Sequence, residues 1–581
     1  MEFLKTIEGV AADILDSVAL SNIKEWKSSL FCDDNEVKEI DSMSDEEKRR
    51  AFTTLIKFGT AGLRGKMLAG SSNMNRTTVA LATFALGKLV LDDNGQDMGV
   101  VIACDSRNNS ELYSRLSASI LAGMGIKVYI FDALRPTPEL SFALRHLGCK
   151  AGINVTASHN TREYNGYKVY WEDGAQLPPV EAEKISSLIP SLSIGDIEAP
   201  DFDTLVKDGK ITVIADEVDR EYLKCVLSQT VDRACVDEYG DKLRILYTPL
   251  HGAGYKLVPE ALRLAGFKSV DTVPSQSIPD GDFPTVEKPN PQFIEAFTEA
   301  IALKRECDLI IATDPDADRM GVAVTDKNGK YRALSGNEIA LILIEYIIKA
   351  RSHNGSMPKN PAVVKSLVSS ALAEVVCKRN GVEIFNVYTG FKYIGEKIKE
   401  FERDGSHSFL FGFEESYGYL AGTYARDKDG VVASMLIAEA SCYYKSQGLT
   451  LLDALDEIYK TYGFWGEYWS EAVITAPDFK AESARIMQGL REAPKKEIAG
   501  ERLITVSDWL SQTVKQLDTG ECEKLTTAPE NMLGYTLESG SRVIMRPSGT
   551  EPKIKLYYFI NARTPEEAVL RRDEIKNGLG F

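Results

Sequence analysis

The sequence predicts an α/β protein of several domains that closes with a smaller α+β unit. Three observations carry this. Short apolar runs alternate with amphipathic stretches across residues 51–460, the rhythm of strand–helix units around mixed or parallel sheets. The pattern then changes over 463–483, and two late apolar runs flank a loop before a last helix. The length, 581 residues, suits about four domains.

Taken in order, residues 1–50 read as a charged, solvated helical extension ending in Asp45-Glu46-Glu47-Lys48-Arg49-Arg50. Four units are expected after it, at 51–205, 206–326, 327–460 and 461–581. In the first, 99–104, 127–131 and 151–155 read as strands and 110–121 as a helix. The second shows strand-like runs at 244–247 and 308–312, and the third at 362–364, followed by a helix through Cys377. In the last, 542–545 and 554–559 read as strands and 565–577 as the closing helix. Turn clusters at 201–209, 326–329 and 461–463 mark the expected boundaries.

Composition excludes several classes. Hydrophobic residues make up 44% and charged residues 26%, as in ordinary globular proteins. The net charge of −17 argues against nucleic acid and anionic membranes as partners. No run of about 18 apolar residues suggests a membrane span. Nine scattered cysteines without a Cys-x-x-Cys pair argue against a disulfide framework or a zinc site. The first residues carry acid early and no apolar stretch of signal-peptide type, so a cytoplasmic location is expected. An acidic protein repels phosphorylated substrates at long range, so any phosphate site must be a local basic cluster.

Five phrases carry chemistry. Thr156-Ala157-Ser158-His159-Asn160 follows a buried strand and exposes a serine that can be modified. Read alone, Ser158 is also explained as a loop cap, and His159 as a hydrogen-bonded loop histidine. Asp314-Pro315-Asp316-Ala317-Asp318-Arg319 places three carboxylates at alternate positions directly after an apolar strand, a hard-cation pattern. An EF-hand would need Gly and Glu where Arg319 and Thr325 stand, so that rival fails. Such a site beside a serine suits phosphoryl transfer.

Arg546-Pro547-Ser548-Gly549-Thr550-Glu551-Pro552-Lys553 offers a guanidinium fork, hydroxyls and a glycine between two strands, which suits phosphate capture. Phe413-Glu414-Glu415-Ser416-Tyr417-Gly418 can hold sugar hydroxyls, or be an acidic surface turn. Arg426-Asp427-Lys428-Asp429-Gly430 is a charge run of the kind most often solvated. Phe58 to Gly65 is glycine-rich but lacks both the P-loop ending and the G-x-G-x-x-G spacing, so nucleotide binding is not indicated.

Together these phrases resemble the α-D-phosphohexomutase family, from Phe58 to the C-terminus, in the order serine loop, metal loop, sugar loop, phosphate loop. The opening at 58–65 is most similar to the branch holding phosphoglucomutases and phosphopentomutase-like enzymes. The resemblance implies a heart-shaped arrangement of three related α/β domains and a fourth α+β domain. It implies a phosphoserine at Ser158, and Mg²⁺ held by Asp314, Asp316, Asp318 and the Ser158 phosphate.

Arg64, Arg107, His159 and Lys168 would surround the transferred group, with Arg319 beside the metal loop. Glu414 and Ser416 would hold the sugar. Arg546, Ser548, Gly549 and Thr550 would grip the nonreacting phosphate, and Lys392 and Lys428 would add charge. Some members that accept mannose and glucose have histidine where Gly418 stands, so the resemblance leans toward glucose. The implied reaction interconverts glucose 1-phosphate and glucose 6-phosphate through glucose 1,6-bisphosphate, which is also the activator. Lys168 or Lys428, with a depressed pKa, would move the hydroxyl proton. The expected partners are small sugar phosphates, and the expected state a monomer or homodimer. Pentose or mannose phosphates, a bisphosphate synthase, a phosphatase and a noncatalytic sugar-phosphate binder are the rivals.

Overall fold

The computed structural model describes residues 16–59, 62–476, 478–525, 527–548 and 552–581. Four sheets follow one another along the chain. The first contains β1 (Leu63–Lys66), β2 (Val100–Cys104), β3 (Val128–Phe131), β4 (Ala151–Val155), β5 (Tyr164–Trp171) and β6 (Ile211–Ile214), in the order β1-β5-β4-β2-β3-β6. The second contains β7 (Arg244–Thr248), β8 (Ser269–Thr272), β9 (Leu309–Thr313), β10 (Met320–Thr325) and β11 (Tyr331–Ala333), ordered β11-β10-β9-β7-β8. The third contains β12 (Pro361–Ser366), β13 (Glu383–Val387), β14 (Ser408–Glu414) and β15 (Gly418–Leu420), ordered β13-β12-β14-β15.

The fourth sheet is different. It runs from β16 (Phe464–Val473) through β17 (Glu497–Ile498), β18 (Glu501–Asp508), β19 (Thr513–Gln516), β20 (Cys522–Lys524), β21 (Leu533–Leu537) and β22 (Arg542–Pro547) to β23 (Lys553–Ala562). All its pairings are antiparallel, and the helices Phe479–Glu492 and Pro565–Leu579 pack on it. The α/β fold with a C-terminal α+β unit therefore holds.

Inner strands such as β2, β4 and β9 are apolar and almost wholly buried, as strands covered on both faces must be. In each of the first three sheets, one strand with a parallel neighbour (β4, β9, β14) turns back as an antiparallel one. The connections are 156–163, 314–319 and 415–417. Each chemical motif of those units therefore sits at the carboxyl end of a parallel strand, where open α/β sheets build their sites. The connection from β22 to β23 is the fourth such hairpin.

Three expectations change. The stretch before residue 50 is helical at 16–28, 34–42 and 45–52, but it is not merely solvated. Trp26 is 2% exposed, packs edge-on against Phe52 at 5.8 Å between centroids, and joins the core of the first sheet. The turn cluster at 201–209 contains a helix, Phe202–Lys207, and β6 beyond it still pairs with the first sheet. The cluster at 326–329 is the tip of the β10–β11 hairpin, so the second sheet runs on to Ala333. Turn residues are thus as common inside these units as between them.

The seam between the third and fourth sheets is partly apolar, built on Val368, Tyr388, Trp509, Met532, Ile544 and Phe559. Glu467 of β16 is half-buried there and accepts from the Ala371 backbone N–H at 2.9 Å and from Asn337. Gly463, at φ +93°, joins the helix Leu451–Tyr462 to β16. Among the described residues, no helix is long and apolar enough to cross a membrane.

Candidate active site

The serine loop is held in a conformation that alanine-like residues avoid. Ser158 has φ +52°, a left-handed backbone uncommon outside glycine. Its surroundings impose it. Arg107, whose side chain is fully buried, donates to the carbonyls of Ser158 and Asn160, and to those of Thr161 at 2.9 Å and Tyr164 at 3.0 Å. The Ser158 N–H donates to Thr156 Oγ1 at 2.8 Å, and that hydroxyl donates to Asp105. Arg107, expected beside the transferred group, holds the serine loop through these carbonyls.

The held hydroxyl points at the acidic loop. Ser158 Oγ donates to Asp314 Oδ2 at 2.7 Å across 156 residues of chain. Asp314, Asp316 and Asp318 are almost completely buried, and one oxygen of each lies within 4.8 Å of the others. Asp316 Oδ2 accepts from Thr137 Oγ1 at 2.8 Å and from Lys168 Nζ at 2.7 Å. Asp318 Oδ2 accepts from Lys428 Nζ at 3.0 Å. The other oxygens, Asp316 Oδ1 and Asp318 Oδ1, are buried with no hydrogen-bond partner, Arg319 Nε standing 3.8 Å from the second. An unpartnered buried carboxylate oxygen is costly, and two beside a third carboxylate fit a hard divalent cation. Burial, then the neighbouring Asp316 and Asp318, push the Asp314 carboxyl well up. At Asp318, Lys428 and Lys168 outweigh burial and hold it low.

The cations take their state from the carboxylates beside them. Burial opposes the charge on Lys168, but Asp316 and Asp318 outweigh it and raise its pKa. At Lys428, Asp318 and Asp427 do the same against burial. Beside these carboxylates both lysines are held in the charged form. His159 is pushed down to about 2 by burial, then by Arg319 and Arg64. Its imidazole is neutral and accepts from the Arg319 guanidinium. Arg64 reaches the same loop, donating to Asn160 Oδ1 at 3.3 Å, and stays exposed on β1. β1 can lie this close because of Gly62 (φ +80°), where any Cβ would fall 1.8 Å from the Tyr167 carbonyl oxygen. The glycine-rich opening is a packing device.

The run 426–429, ambiguous in the sequence, is buried throughout. Asp427 accepts from Tyr170 at 2.8 Å, from Gln176 at 3.0 Å and from Lys428 at 2.8 Å, so the run links the first and third sheets at the metal loop. Gly418 is what makes room. A Cβ there would lie 2.3 Å from Lys428 Cδ, and the Lys428 ammonium is pinned by two carboxylates. A side chain at 418 and Lys428 in this position exclude each other. Gly418→Ala is expected to cost about 1–3 kcal/mol through overpacking and to dislodge Lys428. A thermal melt and the kcat of the variant check this, and wild-type values in both would refute it.

Around the sugar loop, burial and then Glu415 push Glu414 up to about 7, and it accepts from the Gly390 backbone N–H at 2.6 Å. Ser416 sits half-buried at the turn. Lys392, at the start of the helix Phe391–Asp404, is half-buried, and burial lowers its pKa. Arg546 is the penultimate residue of β22, where its guanidinium pairs with Glu530 at 3.0 Å, and the Ser548 N–H donates to the Lys553 carbonyl at 2.9 Å. Gly549 and Thr550 lie outside the described residues.

Sequence reading missed Thr137, Asp105, Asp427 and Glu530. Only Asp427 left a trace: its charge run directly precedes the apolar helix Gly430–Ser446, whose first turn is buried.

Three family models match the chain. They are the phosphoglucomutase/phosphomannomutase α/β/α domains I (residues 55–193), II (220–329) and III (335–462). A phosphoglucomutase of Staphylococcus saprophyticus is 36% identical over 536 residues, covering 91% of this chain and 94% of its own. One from Staphylococcus aureus is 35% identical over 520 residues, covering 89% and 92%. Among solved structures, the open form of parafusin from Paramecium, a phosphoglucomutase, superposes with a TM-score of 0.68 at 17% identity, covering 90% of this chain and 94% of that one. A phosphoglucomutase/phosphomannomutase family protein from Burkholderia thailandensis gives 0.63 at 18%, covering 90% and 97%.

Proposed function

Because the chain belongs to the α-D-phosphohexomutase family, the phosphoglucomutase/phosphomannomutase proteins, we propose that it interconverts α-D-glucose 1-phosphate and glucose 6-phosphate. The reaction runs through a phosphoserine at Ser158 and a glucose 1,6-bisphosphate intermediate. The observation that carries this reading is the Ser158 hydroxyl 2.7 Å from Asp314 within a buried triad of carboxylates.

Asp314, Asp316 and Asp318 would hold Mg²⁺, which when bound acts as a Lewis acid on the serine-linked phosphate. The local charges support a phosphoserine. Three carboxylates face Lys168, Lys428 and Arg319, so the set is close to neutral. A phosphoserine adds about −2, which a divalent cation cancels. In the first half-reaction the Ser158 Oγ–P bond breaks, a P–O6 bond forms, and the proton of the 6-hydroxyl ends on the departing Ser158 Oγ. Because the transition state is loose, fixed cations matter more than a strong base. Lys168 and Arg319 suit that role, and Arg107 keeps the serine aimed. Glu414 and Ser416 would orient the sugar hydroxyls. In the second half-reaction the bisphosphate, turned over in the cleft, returns its other phosphoryl group to Ser158.

The preference for glucose is supported by the similarity to phosphoglucomutases and by Lys428 filling the space beside Gly418. The test is a coupled assay with α-glucose 1-phosphate, Mg²⁺ and catalytic glucose 1,6-bisphosphate, run beside ribose 1-phosphate and mannose 1-phosphate. Bisphosphate-dependent turnover highest on the glucose ester is expected. A higher kcat/KM on either rival overturns the substrate assignment. Arg546 would grip the nonreacting phosphate, so Arg546→Ala is expected to raise KM by about 10- to 100-fold while Ser158 still takes up phosphate from the bisphosphate. An unchanged KM would refute that role.

A further inference from the structure

Arg546 already has an anion. Its guanidinium Nε lies 3.0 Å from Glu530 Oε1, with both side chains partly exposed, at 37% and 27%. Glu530 belongs to the stretch 527–532 that leads into β21, and its negative charge favours the charged form of Lys392 in the third unit. It therefore faces the cation that the proposed function assigns to the nonreacting phosphate. We infer that Glu530 is a resident competitor for the substrate phosphate, holding Arg546 whenever no phosphate is bound and giving it up when one arrives. This rests on the reading of Arg546 as a phosphate ligand.

The chemistry of the exchange sets its selectivity. A phosphate dianion brings twice the charge of a carboxylate and can meet the guanidinium fork with two oxygens. It can displace Glu530. A singly charged anion has no such advantage, so Glu530 makes the loop a filter for dianions. The same competitor helps the intermediate leave, because a bisphosphate that must turn over has to release Arg546 in every cycle. The exchange also reaches the seam. Tyr388, which follows β13, donates to Thr527 Oγ1 at 2.9 Å and to the Ala528 carbonyl. The segment that carries the competitor thus rests on the third unit.

The test is Glu530→Gln, close in shape and without charge. Half-exposed ion pairs are weak, so the variant is expected to melt like the wild type. Its KM for glucose 1-phosphate and its inhibition constant for inorganic phosphate are expected to fall by about two- to fivefold, without a rise in kcat. A merely structural role predicts the opposite sign, weaker binding. Unchanged or raised constants overturn the inference. In an Arg546→Ala background the effect of Glu530→Gln should vanish, and its persistence would equally overturn it. If Arg546→Ala alone leaves KM unchanged, the failure belongs to the phosphate-loop reading.

Discussion

Replacing Ser158 by alanine is expected to lower kcat by at least about 10⁴-fold, because it removes the atom that would carry the phosphoryl group between half-reactions. Added glucose 1,6-bisphosphate should not rescue the variant, since it has no acceptor for either phosphate. The fold should persist. The left-handed backbone at 158 is imposed by Arg107 on the neighbouring carbonyls, not by the hydroxyl. The expected destabilisation is about 1 kcal/mol for the lost hydrogen bond to Asp314. Mass spectrometry of the wild type incubated with bisphosphate should find the phosphate on Ser158 and nowhere else in the loop. Turnover within tenfold of wild type in the alanine variant would remove Ser158 from the mechanism.

Asp316→Asn is the second large effect. The substitution keeps shape but removes one of three charges from the triad and the carboxylate that Lys168 contacts at 2.7 Å. A bound metal supplies several kcal/mol of charge stabilisation, so kcat/KM is expected to fall by about 10²- to 10⁴-fold. The Mg²⁺ concentration for half-maximal activity should rise at the same time. Loss of activity without that rise would make Asp316 a positioning residue for Lys168 and not a ligand. Chelation of the wild type should reproduce the loss and Mg²⁺ should reverse it. Activity that survives exhaustive chelation would exclude the metal reading altogether.

The fold was legible where physics is local. Apolar runs such as Leu309–Ala312 and Ala151–Val155 are strands because both faces are covered, and their lengths read correctly to within a residue or two. The boundary near 461 was legible, but those at 201–209 and 326–329 were not. Residues that signal turns also cap short helices such as Phe202–Lys207 and close hairpins such as β10–β11.

At the site, motifs with unusual spacing, such as the alternating aspartates, announce themselves. Side chains that act through distant partners do not. Thr137 touches Asp316 from 179 residues away. The run 426–429 was ambiguous because its partners Tyr170, Gln176, Asp318 and Glu402 lie elsewhere in the chain. The protonation states of Lys168 and Lys428 were likewise out of reach, since they follow from which carboxylates the fold sets beside them.

Placing each motif on its own hairpin has a consequence for how activity is acquired. The strand pairs that bear the loops are formed by neighbouring stretches of chain, so each loop can take shape early. The contacts that make a centre of them, Ser158 with Asp314 and Lys168 with Asp316, span 156 and 148 residues, and such closures come late in the folding of large chains. During refolding, native-like circular dichroism should therefore return before catalysis does. Recovered turnover would report the docking of finished units, and the interval between the two signals would measure its rate.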